Sequence, residues 1–469
     1  MSETRLFLKT RPWISVLLLA ALALVVQPAA AQVEEPPGPS YIVQPGDTLS
    51  SIALRFNISQ DEIIEASGLA NPDALNVGDV LILPGLDWID GTLVFQDLPL
   101  GETYFSLKRR YLLNEESMAL LNRLTSPNQL YLGFNTLIAT DRGELTNAAR
   151  AAVAPGQSLL ELAVVSGDNA WALQAYNQLP AGWAALPGDV LFTPAQQSAG
   201  PGALPSPFTA FNVDGGRFVQ GKTAVLRASG SEAFSLTGEW IGKDIHFFAN
   251  EGSLVALQGT PLTAESGTFP LMISGTTAGG APFGFTQIVR VQSGNYPTES
   301  LSLTDLSTLD NDVSSAETAR VTEMVLNASA EKRWTGYWGA PHPYIDVINS
   351  EFGVQRTYNQ GAYESFHYGV DFGGGVGIEI WAPAPGEVIF TGLLDVRGNV
   401  TIIDHGWGVY TGYFHQSEIL VEVGQQVSHG DLIGRVGNTG RSTGAHLHWE
   451  VWVGGVSVEP MDWLAFVYP

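Results

Sequence analysis

The sharpest pattern along the chain lies near its C-terminus, where His446, His448, Glu450 and Trp452 interleave with Leu447, Trp449, Val451 and Val453. That period of two predicts a strand, and it turns both histidines to one face with Cα atoms roughly 6.6 Å apart. Gly412 to His415, GYFH, predicts a second strand with Tyr413 and His415 on one face. His367 and Asp371 stand four apart, but Gly369 and the glycines at 373–375 disfavour a helix there. An extended chain would part the two by roughly 13 Å, so the backbone is expected to bend between them, and Gly369 permits it.

Upstream the pattern changes period several times. In 41–85, the β-like ends YIV and VLIL flank two helical patterns, with Asp47 or Thr48 as the cap before Leu49, Ile52 and Ala53. The unit repeats in weaker form. In 151–195, Pro155-Gly156 and Leu159, Leu162 and Ala163 echo Pro45-Gly46 and Leu49, Ile52 and Ala53; in 92–140 the framework survives while the PGD signature is degraded. From 205 to 296, short strand-like runs such as TAVLRAS, IHFFAN and TQIVRVQS alternate with glycine turns, which predicts a β-sandwich-like domain. Nothing there has catalytic spacing, and the domain reads as a spacer rather than a wall of a substrate groove. Residues 297–340 read as a helical linker, with Ser314 to Glu317 as a capping box and Val321, Met324, Val325 and Ala328 as one apolar stripe. Residues 341–469 form the last domain.

The ends and the composition narrow the setting. Arg5, Lys9 and Arg11 precede an apolar run from Trp13 to Val26, and Ala29, Ala30 and Ala31 supply a small-residue cleavage site, so 1–31 read as a secretory signal peptide. At about 14 residues the run is short for a membrane span of about 20. The membrane is therefore met only through this segment before cleavage, and the expected location is secreted, at the cell wall. The net charge of −25, from 22 basic and 47 acidic residues, leaves no basic patch for nucleic acid. With no cysteine in 469 residues, disulfides, thiolate metal sites and a cysteine nucleophile are excluded.

Four of the eight histidines, His367, His415, His446 and His448, fall in the three C-terminal segments, and such clustering asks for a metal. Taken in order, HYGVD, GYFH and HLH, with IDHG and VGNTGRSTG between them, resemble the lysostaphin-type (LytM-like) zinc endopeptidases that cut peptidoglycan peptides. The resemblance spans roughly the last 130 residues. It implies an all-β antiparallel domain in which His367, Asp371 and His448 hold zinc and His415 and His446 are the catalytic pair. Gln416 departs from the leucine of many relatives, at a position pointing away from the site. Residues 41–85 resemble a LysM module, a βααβ unit that binds N-acetylglucosamine-containing glycans, and the other two copies are LysM-like. The implied protein is multidomain: small α+β LysM repeats, a β-sandwich-like middle and a zinc peptidase, with peptidoglycan as partner. A second class of LytM-like protein has lost its ligands and serves as a scaffold or activator for other wall enzymes. This chain keeps every HxxxD and HxH residue.

Overall fold

A computed structural model describes residues 38–301 and 311–469, apart from 144, 146, 147, 155, 188, 198–203 and 359–362. The expected signal peptide lies outside the described residues. Within them, no helix is long and apolar enough to cross a membrane.

The N-terminal copies are βααβ units, and local chemistry explains why. Helix Leu49–Phe56 buries Leu49, Ile52 and Ala53. Thr48 caps it by accepting from the Ser51 amide, whereas Asp47, the other candidate cap, accepts from the Tyr41 hydroxyl and the Gln44 amide. The degraded copy keeps the same device in Thr103 and Ser106 ahead of helix Tyr104–Arg110. The first two copies are not separate beads: strand Ser40–Ile42 pairs antiparallel with Val80–Ile82 of its own copy and parallel with Thr92–Asp97 of the next. Together with Asn135–Thr140 these strands make one four-stranded sheet over one apolar core. The third copy has its own two-stranded sheet, Ala148–Ala152 against Val190–Gln197, and its own small core.

Downstream, two sheets of five and four strands face each other across a core in which Phe208, Phe211, Phe283 and Phe285 meet edge to face. This sandwich is welded to its neighbours on both sides. Toward the N-terminus, Gln287 accepts from the Gly101 amide and the Ile288 carbonyl accepts from Leu132, so the second copy leans on strand Pro282–Gln292. Buried Glu102 pairs there with Arg110 and with Arg150 of the third copy. Toward the C-terminus, Val225, Val255 and Leu257 enter the same core as Val409, Trp449 and Val458, and Phe248 stacks on Trp407 at 5.2 Å.

The C-terminal domain is built on a long antiparallel sheet that runs Ile348–Ser350, Val370–Gly373, His446–Val453, Val409–Gln416, Gly398–Gly406, Gly386–Leu394, Gln426–Val427. The expected linker helix exists, as Asn311–Met324, but Ser314 to Glu317 do not cap it. They lie inside the helix. Glu317 turns instead to the C-terminal domain, and Val321 and Val325 pack with Leu394, Val400, Phe414 and Trp452. Trp334 and Trp338 then sink into the main core.

Candidate metal centre and active site

Three neighbouring strands carry the site. Strand His446–Val453 keeps its alternation: Leu447, Trp449, Val451 and Val453 fill the main core, while His446, His448, Glu450 and Trp452 take the other face. Val370–Gly373 lies beside it with Asp371 directly opposite His448. His367 sits just before that strand, and the chain bends at Gly369. Glycine is required there for room as well as for bending. A Cβ would come within 2.5 Å of the Trp449 carbonyl oxygen and 2.7 Å of His448 Nε2.

His367 Nε2, Asp371 Oδ1 and His448 Nδ1 converge, with separations of 3.1 Å, 3.1 Å and 2.7 Å. All three donor atoms lie within 4.8 Å of one another. Ligands at about 2.0–2.1 Å from a tetrahedral zinc are spaced by roughly 3.3 Å, so the donor set fits such an ion. The far nitrogens fit as well. The Glu351 carbonyl, 2.7 Å from His367 Nδ1, and Glu450, 3.0 Å from His448 Nε2, can each accept the outer N–H of their ring, which leaves the inner nitrogens able to serve a metal ion once they give up their protons. Burial works to raise the Asp371 carboxyl, yet the hydrogen bonds and charges of His367 and His448 overcome it and hold the group well below the usual carboxylate range. His448 shows the converse. Burial alone would lower it, but Asp371 and Glu450 raise it to about 9. The pocket therefore favours positive charge between these groups.

His415 and His446 face each other beside this centre, with ring centroids 4.8 Å apart. Each donates Nδ1–H to a backbone carbonyl, His415 to Thr439 and His446 to Gly444, both at 2.8 Å. Each therefore presents Nε2 as an acceptor, and His446 Nε2 stands 3.6 Å from Asp371 Oδ1. Burial, aided by the charge of His448, pushes His415 down to about 4. The expected alignment of Tyr413 with His415 is not what the fold uses. Tyr413 points into the main core opposite Trp449, and Phe414 takes the site face, stacked on His448 at 5.3 Å. His415 reaches the site because its backbone turns left-handed, at φ 59°, which breaks the alternation. Gln416 bonds inward to Thr401 and to the Tyr413 carbonyl, away from the pair.

The other four histidines stay outside the group. His405 is buried and satisfied by Pro385 and Thr411, His342 stacks on Phe372, and His246 and His429 are exposed. Beyond Glu450 the same face opens into a groove walled by Tyr368, Arg397, Glu450 and Trp452 together with Lys243 and Leu262 of the sandwich. The sandwich thus borders the site, which its sequence did not signal.

Residues 365–460 match the family model described as Peptidase family M23. Residues 41–84 and 100–134 match the LysM domain model, so the degraded copy keeps a recognisable LysM pattern, as its surviving framework implied. Peptidoglycan DD-endopeptidase ShyA of Vibrio cholerae is 40% identical over 114 residues, which cover 24% of this chain and 26% of that protein. An uncharacterized metalloprotease of Buchnera aphidicola is 36% identical over 115 residues, covering 24% and 31%. Among solved structures, the catalytic domain of the antimicrobial peptidase lysostaphin from Staphylococcus simulans aligns at 29% identity over 28% of this chain and 93% of that chain, with a TM-score of 0.21. The alignments span between a quarter and a third of these two curated relatives. The C-terminal part is thus an M23 peptidase domain preceded by LysM domains, and its His-Asp-His group is able to hold a metal ion.

Two holders of the site escaped the sequence reading. The Glu351 carbonyl has no side-chain signature. Glu450 was visible on the histidine face, and its spacing of two from His448 was the signal that could have identified it as that ring's partner.

Proposed function

We propose that this protein is a secreted zinc metalloendopeptidase that cuts a peptide bond in the stem or cross-bridge of peptidoglycan, while its LysM copies hold the glycan. The observation that carries the reading is the convergence of His367 Nε2, Asp371 Oδ1 and His448 Nδ1 beside a second pair of histidines, His415 and His446. Zinc held by these three atoms supplies Lewis-acid polarisation of the scissile carbonyl and makes a water acidic near neutral pH. The protein groups do the rest. The Nε2 atoms of His415 and His446 accept a proton from the attacking water, and the ring so protonated donates to the developing oxyanion or to the leaving amine. Burial of the site keeps these hydrogen bonds strong, since His367 and His415 are only 5% and 8% exposed.

The test separates ligand from proton carrier. His448→Ala should lose both zinc and activity. His415→Ala and His446→Ala should keep nearly stoichiometric zinc and lose on the order of 10²-fold or more in rate. Metal analysis beside turnover on crosslinked peptidoglycan decides it. A zinc-free His446→Ala with a zinc-loaded His448→Ala would reverse the assignment.

A further inference from the structure

The matched peptidase segment begins at residue 365, yet a residue some fifty positions earlier is bonded to a turn beside its site. Glu317, on helix Asn311–Met324, accepts from the amides of Val396 and Arg397 at 2.7 Å and 3.0 Å and from Arg397 Nη1 at 3.0 Å. Three donors on one largely buried carboxylate fix both the backbone and the side chain of Arg397.

Arg397 in turn touches two neighbours of the His448 ring, Phe414 and Glu450, and the backbone of His415. Its guanidinium lies 5.3 Å from the centroid of Phe414, which also stacks on the His448 ring at 5.3 Å and 11°. Its Nη2 is 4.0 Å from Glu450 Oε1, the atom that accepts from His448 Nε2. Its carbonyl accepts from the His415 amide at 2.9 Å, at the residue whose φ of 59° swings the ring into the site. A left-handed backbone at a non-glycine residue is costly and persists only when its surroundings hold it. Here one holding bond comes from the Arg397 carbonyl, beside those His415 makes with Thr439. Glu450 is 3% exposed, so its charge needs positive partners, and the Arg397 guanidinium at 4.0 Å adds to the His448 ring at 3.0 Å.

We propose that Arg397, locked by Glu317, is a positioning residue that sets the rotamer of His448 and the backbone of His415, so that the helix before the peptidase domain is part of its catalytic unit. The inference rests on the metallopeptidase reading and adds residues outside the pattern that defines it. Lysine cannot replace Arg397, because it has the charge without the planar fork that stacks on Phe414 while pairing with two carboxylates.

The experiment uses the full chain with Glu317→Gln, Arg397→Lys, Arg397→Ala and, as a control on the same helix, Arg320→Ala, whose exposed guanidinium stacks over Phe390 instead. Near-UV circular dichroism first establishes that each variant is folded, and chelator competition then gives zinc affinity independently of turnover. Outer partners of metal ligands typically contribute about 10–100-fold in affinity. Glu317→Gln and Arg397→Lys should therefore weaken zinc binding about tenfold or more and lower kcat with KM little changed, Arg397→Ala more so, while Arg320→Ala matches the parent chain. The proposal is overturned if the folded Glu317 and Arg397 variants keep parental zinc affinity and kcat, or if Arg320→Ala falls with them. A parent chain that binds no zinc and cuts no peptidoglycan would instead overturn the metallopeptidase reading, and this inference with it.

Discussion

Gly369 shows how little slack the site has. A methyl group there would press on a backbone carbonyl and on the ring of His448, neither of which is the loose end of a flexible side chain. Gly369→Ala should therefore cost about 1–3 kcal/mol through overpacking and displace His448 from the centre. Thermal unfolding together with zinc content checks it: a lower melting temperature with sub-stoichiometric metal is expected. At this scale the sequence was most informative where backbone geometry is regular. His446 and His448 share a face because a strand has period two, and Asp371 meets His448 because the adjacent strand pairs in register. It was least informative where geometry is irregular. GYFH looks like plain alternation, and nothing local announces that His415 adopts φ 59° and leaves Tyr413 to the core.

At the scale of elements, caps and shared strands decide behaviour. The Thr48 hydroxyl satisfies the Ser51 amide at the start of the first LysM helix, and Thr48→Ala should cost about 1 kcal/mol. Because Ser40–Ile42 pairs with strands of both copies over one core, that loss should be shared. Hydrogen exchange should show the slow amides of 41–84 and of 92–140 accelerating together, while those of 148–197 do not change. The βααβ units were legible because helix caps and apolar spacing are local. The sharing of a sheet was not, since it depends on a parallel pairing between residues about fifty apart. The linker helix was legible through its stripe of Val321 and Val325, but its supposed capping box was not one. Glu317 is occupied by a partner about eighty residues away, and no window along the chain reveals that.

At the scale of the whole molecule, the sandwich and the peptidase domain meet over a titratable junction. Glu459 faces Lys222, Asp462 and Glu351, with Tyr296 and Tyr468 alongside. Burial, reinforced by the two carboxylates and opposed by Lys222, pushes Glu459 up to about 7 from an ordinary value of 4.5. The folded chain then holds a proton that the unfolded chain gives up between about pH 4.5 and 7, so this group's contribution to stability is full below that window and lost as pH rises through it. The denaturation midpoint should accordingly fall from pH 5 to pH 7.5, and Glu459→Gln should flatten the slope. That the sandwich joins the peptidase core through Val225, Val255, Leu257 and Phe248 could not be read from its strands, whose alternation looks the same whether the outer face meets water or another domain. The central claim, a metal-dependent cut in peptide rather than glycan, is tested most directly by mass spectrometry of muropeptides released from purified sacculi by the full chain, with chelator and after zinc is restored. New peptide termini on crosslinked muropeptides are expected with the glycan strands intact, abolished by chelator and recovered with zinc. Release that persists in chelator, or new glycan ends in place of peptide ends, would contradict it.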